Sequence, residues 1–160
     1  MGKIATPIRR KSVQLPILVV EDNIDQWTII KSALAQCFPE VEPIWLSDAD
    51  QTLEYLSNTS PNKLPLLILL ELCLPDQESG LALLEAIKAD AIYRQVPVVI
   101  LSRSQDQDVV SRSYGLGITS YIVKPTVYQE WLTRFYSFRR YWWESVTLPQ
   151  RPSKLKQNRS

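Results

Sequence analysis

The sequence predicts a doubly wound α/β domain, and three observations carry the prediction. Short continuous apolar runs, LPILVV at 15–20, LPLLILLEL at 64–72 and VPVVILS at 96–102, have the character of strands buried on both faces of a parallel sheet. Stretches with apolar residues three and four apart follow them, as amphipathic helices require. Parallel crossovers need such helices and run right-handed, so alternating strands and helices build a mostly parallel sheet covered on both sides.

Each element has its own signal. The first strand ends abruptly in acid, and the helix from Asp25 to Cys37 places Trp27, Ile30, Leu34 and Phe38 on one side before Pro39 stops it. Pro43 to Leu46 reads as a short strand. Asp48 is the N-cap of a helix through Leu53 and Leu56, ended by NTSPN at 58–62. The third strand, 64–72, leads through Pro75 and a polar loop to Gly80, then to a helix carrying Leu81, Leu84, Ile87 and Ala91 on one face. After the fourth strand, 96–102, comes a helix from Asp106 to Tyr114, with Gly115 and Gly117 as terminators. TSYIVKP at 119–125 is a last strand halted by Pro125, and a long aromatic helix runs from Thr126 to about Val146.

The 160 residues suit one domain, at 14–148, between tails at 1–13 and 149–160. Hydrophobic residues at 45% and charged residues at 22% are ordinary globular composition. A net charge of +1 gives no global reason to expect nucleic acid; the basic ends, Arg9, Arg10 and Lys11 and then Arg151, Lys154, Lys156 and Arg159, read as solvated tails. No apolar run reaches membrane-spanning length and no secretory signal is present, so a cytoplasmic location off the membrane is expected. Cys37 and Cys73 match no metal or redox spacing and read as buried or partly buried free thiols. The absence of histidine removes Ser-His and Cys-His nucleophiles and imidazole ligation together. Any phosphohistidine must then come from a partner.

In such sheets, ligands bind outside the carboxyl ends of the strands. There the first strand ends in Glu21 and Asp22, the third in Glu71, the fourth in Ser102 and the fifth in Lys124. Carboxylates suit Mg²⁺, while a hydroxyl and an ammonium suit phosphoryl oxygens. Two other readings remain open: scattered surface acids bound to nothing, or a hydrolase using Glu21, Asp22 or Asp25, against which stands the lack of any cap insertion to shape a substrate pocket.

VVEDN at 19–23, ILLELCLP at 68–75, VVILS at 98–102 and YIVKP at 121–125, in this order, closely resemble the receiver domain of bacterial response regulators over roughly residues 15–146. The resemblance implies a flavodoxin-like five-stranded sheet of order 2-1-3-4-5 with five helices, and a signalling module rather than an enzyme. It implies that Glu21 and Asp22, with Glu71, form the Mg²⁺ site, that Ser102 and Lys124 contact the phosphoryl group, and that Ser102 and Tyr121 act as the switch. Glu71 stands where the family has its phospho-accepting aspartate, and its extra methylene carries the carboxylate about 1.5 Å further out. Displacement on that scale impairs in-line phosphoryl transfer, while a glutamate reaching toward Lys124 mimics part of the charge of a phosphorylated aspartate. The loop PDQESG at 75–80 is one residue longer than the usual spacing.

DVVSRSYGLGITSYIVKP, followed by YQEWLTRFYSFRRYWWESVTLP, further resembles the cyanobacterial phytochrome-associated response regulators. That resemblance implies a phytochrome-type histidine kinase as partner and a homodimer through the last helix. Trp131, Phe135, Phe138 and Trp142 form one stripe, ordinarily a core face. Tyr128, Tyr136, Tyr141 and Trp143 add more aromatics than one core face needs, so the expected interface comprises Trp131, Phe135, Phe138, Trp142 and Trp143. The expected function is a pseudo-receiver acting through protein contacts with little or no phosphorylation; the alternative is a receiver that accepts phosphate on Glu71.

Overall fold

In a computed structural model, which describes residues 14–145, the first apolar run forms β1 (Leu15–Val20) near the middle of a five-stranded parallel sheet. β2 (Val41–Leu46) is one edge, and β3 (Leu67–Leu70), β4 (Val98–Ser102) and β5 (Ser120–Val123) continue on the other side, giving the order β2-β1-β3-β4-β5. The doubly wound expectation and its strand order agree with this sheet. The edge strand β2 carries Pro43, whose missing N–H removes one donor from an otherwise open ladder.

Among the described residues five α-helices cover the sheet: α1 (Ile24–Cys37), α2 (Ala49–Ser57), α3 (Gln77–Ala89), α4 (Gln107–Gly115) and α5 (Tyr128–Arg139). Four begin on a side-chain cap, with Asn23, Asp48, Asp76 and Asp106 each accepting a backbone N–H of the first turn. Gly117, at φ 99°, supplies the left-handed residue just beyond α4. The face of α3 ends earlier than expected: Leu81, Leu83, Leu84 and Ile87 are buried, while Ala91 lies beyond the helix and is exposed.

Strand alternation divides the core in two. Leu18, Val20, Ile68, Leu70, Val98 and Ile100 face α2, α3 and α4, while Ile17, Val19, Leu67, Leu69, Val99 and Leu101 face α1 and α5. The first layer is mostly aliphatic. The second is closed by Phe38, Trp131, Phe135 and Trp142.

The last aromatic segment is not one continuous α-helix. After Arg139 the chain widens into a π-helical turn, Arg140–Ser145. Arg139 and Glu144 are ion-paired across five positions, the π spacing, and the same guanidinium holds Glu40 with Nε 2.9 Å from Oε1, tying the end of α5 to the α1–β2 turn. Trp131, Phe135 and Trp142, expected at an interface, are buried in the core, and Phe138 is half-buried against it. The stripe has α1 and the sheet directly beneath it, so it is filled from within the same chain. The expected tails and the VTLP segment lie outside the described residues.

Candidate functional site

Three charged side chains meet at the carboxyl edge of the sheet, each one residue past the end of a strand. Glu21, Glu71 and Lys124 are outside the strands, yet their amides extend the parallel ladder: Glu21 N–H donates to Leu46 O (3.0 Å), Glu71 N–H to Val20 O (3.0 Å) and Lys124 N–H to Ser102 O (2.8 Å). The backbone thus aims all three into one place. Lys124 Nζ donates to Glu21 Oε2 at 2.7 Å and to Glu71 Oε1 at 3.1 Å, and all three side chains are buried.

The remaining carboxylate oxygens are also engaged. Glu71 Oε2 accepts the N–H of Leu72 at 2.9 Å, and Glu21 Oε1 accepts that of Asn23 at 3.2 Å. Burial pushes the Glu21 carboxyl above its ordinary range, opposed by the hydrogen bond and charge of Lys124 and by the Asn23 amide, and reinforced by the charge of Glu71. Trp45, opposite Val19 in the β1–β2 register, donates its indole N–H to the Glu21 carbonyl at 2.7 Å and stacks on Trp27 at 5.6 Å.

A second group lies beside the first. Ser102, the last residue of β4, is buried, and its Oγ accepts the Ser104 N–H at 3.3 Å. Tyr121 is half-buried with its hydroxyl donating to Ser104 O at 2.7 Å, while its own N–H donates to the Tyr114 hydroxyl at 3.1 Å. These contacts hold the β4–α4 loop over a cavity of about 290 Å³ lined by Glu21, Asp22, Glu71, Ser102, Arg103 and Lys124, among others.

The structure therefore brings together Glu21, Asp22, Glu71, Ser102 and Lys124, with Tyr121 one layer away. Asp22 differs in being exposed and in making no contact with Lys124. Cys73, expected to be buried or partly buried, is exposed on the β3–α3 loop, because that loop crosses the pocket rim; Cys37 is buried. Partial desolvation, then the carboxylates of Glu71, Asp22 and Asp76, push the Cys73 thiol up, which makes it a poor nucleophile.

Asn23 and Trp45 are site residues that the sequence does not single out, and Gly80, expected to end the polar loop, lies inside α3. Asn23 was legible as a cap residue following the acidic pair. Trp45 reaches Glu21 only through the register of a neighbouring strand, which the chain order does not display. Gly80, inside α3, packs so closely on the β3–α3 loop that a Cβ there would lie 1.6 Å from Leu72 O.

As arranged, these residues do not fit a divalent cation. Mg²⁺ requires near-octahedral oxygens at about 2.0–2.1 Å. Glu21 and Glu71 instead converge on an ammonium, and no group of three His, Cys, Asp or Glu side chains among the described residues is placed to hold a metal ion. The expected set of Glu21, Asp22 and Glu71 is split between two buried, lysine-paired carboxylates and one exposed one.

The family model for the response regulator receiver domain matches residues 17–135. Response regulator Rcp1 of Synechocystis sp. is 31% identical over 140 residues, covering 83% of this chain and 92% of that protein. Among solved structures, the phosphorylated cyanobacterial phytochrome response regulator RcpA is similar with a TM-score of 0.75 at 31% identity, covering 86% of this chain and 99% of that one. The Mn²⁺-bound form of Rcp1 is similar with a TM-score of 0.73 at 30% identity, over 85% and 99% of the two chains. The matched span, the sheet order and these relatives agree: the chain belongs to the response regulator receiver domain family, and its relatives include phytochrome-associated regulators of two-component signalling.

Proposed function

We propose that this chain is a pseudo-receiver in phytochrome-linked two-component signalling, acting in the cytoplasm through protein contacts and taking little or no phosphate at Glu71. The buried Glu21–Lys124–Glu71 triad carries the reading. In-line phosphoryl transfer needs a carboxylate oxygen aligned with the phosphorus of the donor, and hydrogen bonds to both oxygens restrict that alignment. Both Glu71 oxygens are held by donors, Lys124 on one and the Leu72 amide on the other. The single negative charge of Glu71 on Lys124 resembles part of a phosphorylated state in sign, with less charge and fewer acceptor oxygens than a phosphoryl group.

Tyr128, Tyr136, Tyr141 and Trp143 are exposed, and they supply the aromatic surface for a homodimer through α5 and the π turn. The interface thus moves from the buried stripe to the exposed rings, with Trp143 common to both. A histidine kinase of phytochrome type is the upstream partner on this reading, supported by the likeness to RcpA and Rcp1.

Incubation with acetyl phosphate and Mg²⁺ followed by intact mass tests the central point. Wild type is expected to stay unmodified while Glu71→Asp gains one phosphoryl group. Stoichiometric labelling of wild type at Glu71 would make it a working acceptor and end the pseudo-receiver reading. Gel filtration with light scattering tests the dimer, with Trp143→Ser and Tyr141→Ser expected to shift it toward monomer.

A further inference from the structure

We infer that Lys124 takes the place of a divalent cation in this pocket, so that the folded chain excludes Mg²⁺ and Mn²⁺ at millimolar concentration. The inference goes beyond the reading above, and its test involves no phosphoryl donor.

A divalent cation in a protein pocket needs oxygen ligands turned toward one point, and Mg²⁺ takes one or two carboxylates among them, with waters completing its shell. The point toward which Glu21 and Glu71 turn is Lys124 Nζ, at 2.7 and 3.1 Å. Their other oxygens point back to the Asn23 and Leu72 amides. A metal ion would have to displace a buried ammonium that has no other acceptor in its hydrogen-bond set, since two cations repel strongly at such range.

Nor can the three groups easily drift apart. Each backbone is fixed by a ladder bond, from Glu21 to Leu46, from Glu71 to Val20 and from Lys124 to Ser102, and Trp45 holds the Glu21 carbonyl at 2.7 Å. Asp22, exposed and outside the triad, is the pocket carboxylate left to meet a metal, and one carboxylate binds Mg²⁺ weakly. The residue at 71 decides the matter: glutamate spans to Nζ, and an aspartate on the same backbone would fall about 1.5 Å short of it, leaving a carboxylate free beside Asp22.

Thermal unfolding with and without Mn²⁺ tests this in wild type and Lys124→Met. The Tm of wild type is expected to be the same in Mn²⁺ and in EDTA. Lys124→Met is expected to have a lower Tm in EDTA that rises with Mn²⁺, by roughly 5–10 °C at a hundredfold excess over Kd. A wild-type Tm that climbs with Mn²⁺ overturns the inference. Should Lys124→Met fail to fold, isothermal titration of Mn²⁺ into Glu71→Asp replaces it: binding heat there and none in wild type supports the ammonium as the excluding group, and no heat in Glu71→Asp overturns it.

Discussion

The two halves of the pocket are built differently. On one side, Glu21, Glu71 and Lys124 are buried, and every carboxylate oxygen has a donor within 3.2 Å. On the other, the hydroxyls of Ser102 and Tyr121 each bond to Ser104, through one N–H and one carbonyl of a surface loop. The acidic half is closed on itself by charge, and the hydroxyl half is a clasp between backbone and side chains. Charge buried this way is costly to disturb, whereas a loop clasp opens at the expense of about one hydrogen bond. The pocket thus separates into a buried electrostatic centre and a lightly held loop contact, and the glutamate at 71 belongs to the centre.

Removing Lys124 disturbs the comparison most. Lys124→Met leaves two buried carboxylates facing one another and is expected to cost about 3–5 kcal/mol in a urea titration. A cost near that of a surface mutation would mean the triad is solvated after all. Next is Gly80→Ala, which reaches the centre indirectly: its Cβ would lie 1.6 Å from Leu72 O, so α3 or the loop must shift, with about 1–3 kcal/mol lost and the Leu72 amide moved relative to Glu71. Tyr121→Phe, on the lightly held side, removes the 2.7 Å bond to Ser104 O and is expected to cost only about 1 kcal/mol, with faster amide exchange in the β4–α4 loop as the second readout.

Acidification separates two carboxylates with opposite behaviour. Arg139 holds the Glu40 carboxyl below its ordinary value of 4.5, so the stability it contributes is present above that pH and is lost as pH falls through the depressed value. Glu21 is raised above 4.5 by burial, so its ionisation is a cost that disappears on acidification. Wild type should therefore lose its advantage over Glu40→Gln as pH drops below 4.5, while the difference is flat near neutrality. A gap between the two that persists at low pH would show that Arg139 does not depend on ionised Glu40 to anchor the end of α5.

Much of the fold was legible because buried parallel strands leave uninterrupted apolar runs. Strand ends were less so: Leu66 N–H reaches Pro16 O and Glu71 N–H reaches Val20 O, so sheet-like bonds extend past the four residues of β3 in both directions and the apolar run overstates the strand. The pocket residues could be placed at strand ends by order alone. Their pairing could not, since a lysine between two glutamates depends on three strands being neighbours in the sheet. The aromatic stripe of the last helix shows another limit. Spacing of four, three and four is the same for a core face and for an interface, and only the presence of α1 and the sheet beneath Trp131, Phe135 and Trp142 decides between them. The π turn coincides with an ion pair at five positions, Arg139 with Glu144, a spacing the helical pattern does not announce.

The central claim is that Glu71 on Lys124 keeps the pocket closed to cation and phosphoryl alike. Titration of Mg²⁺ with beryllofluoride into wild type and Glu71→Asp tests it most directly, read by tryptophan fluorescence, because the stacked Trp27–Trp45 pair is bonded to Glu21 at the pocket edge. A saturable change is expected in Glu71→Asp and none in wild type. A saturable change in wild type would contradict the claim.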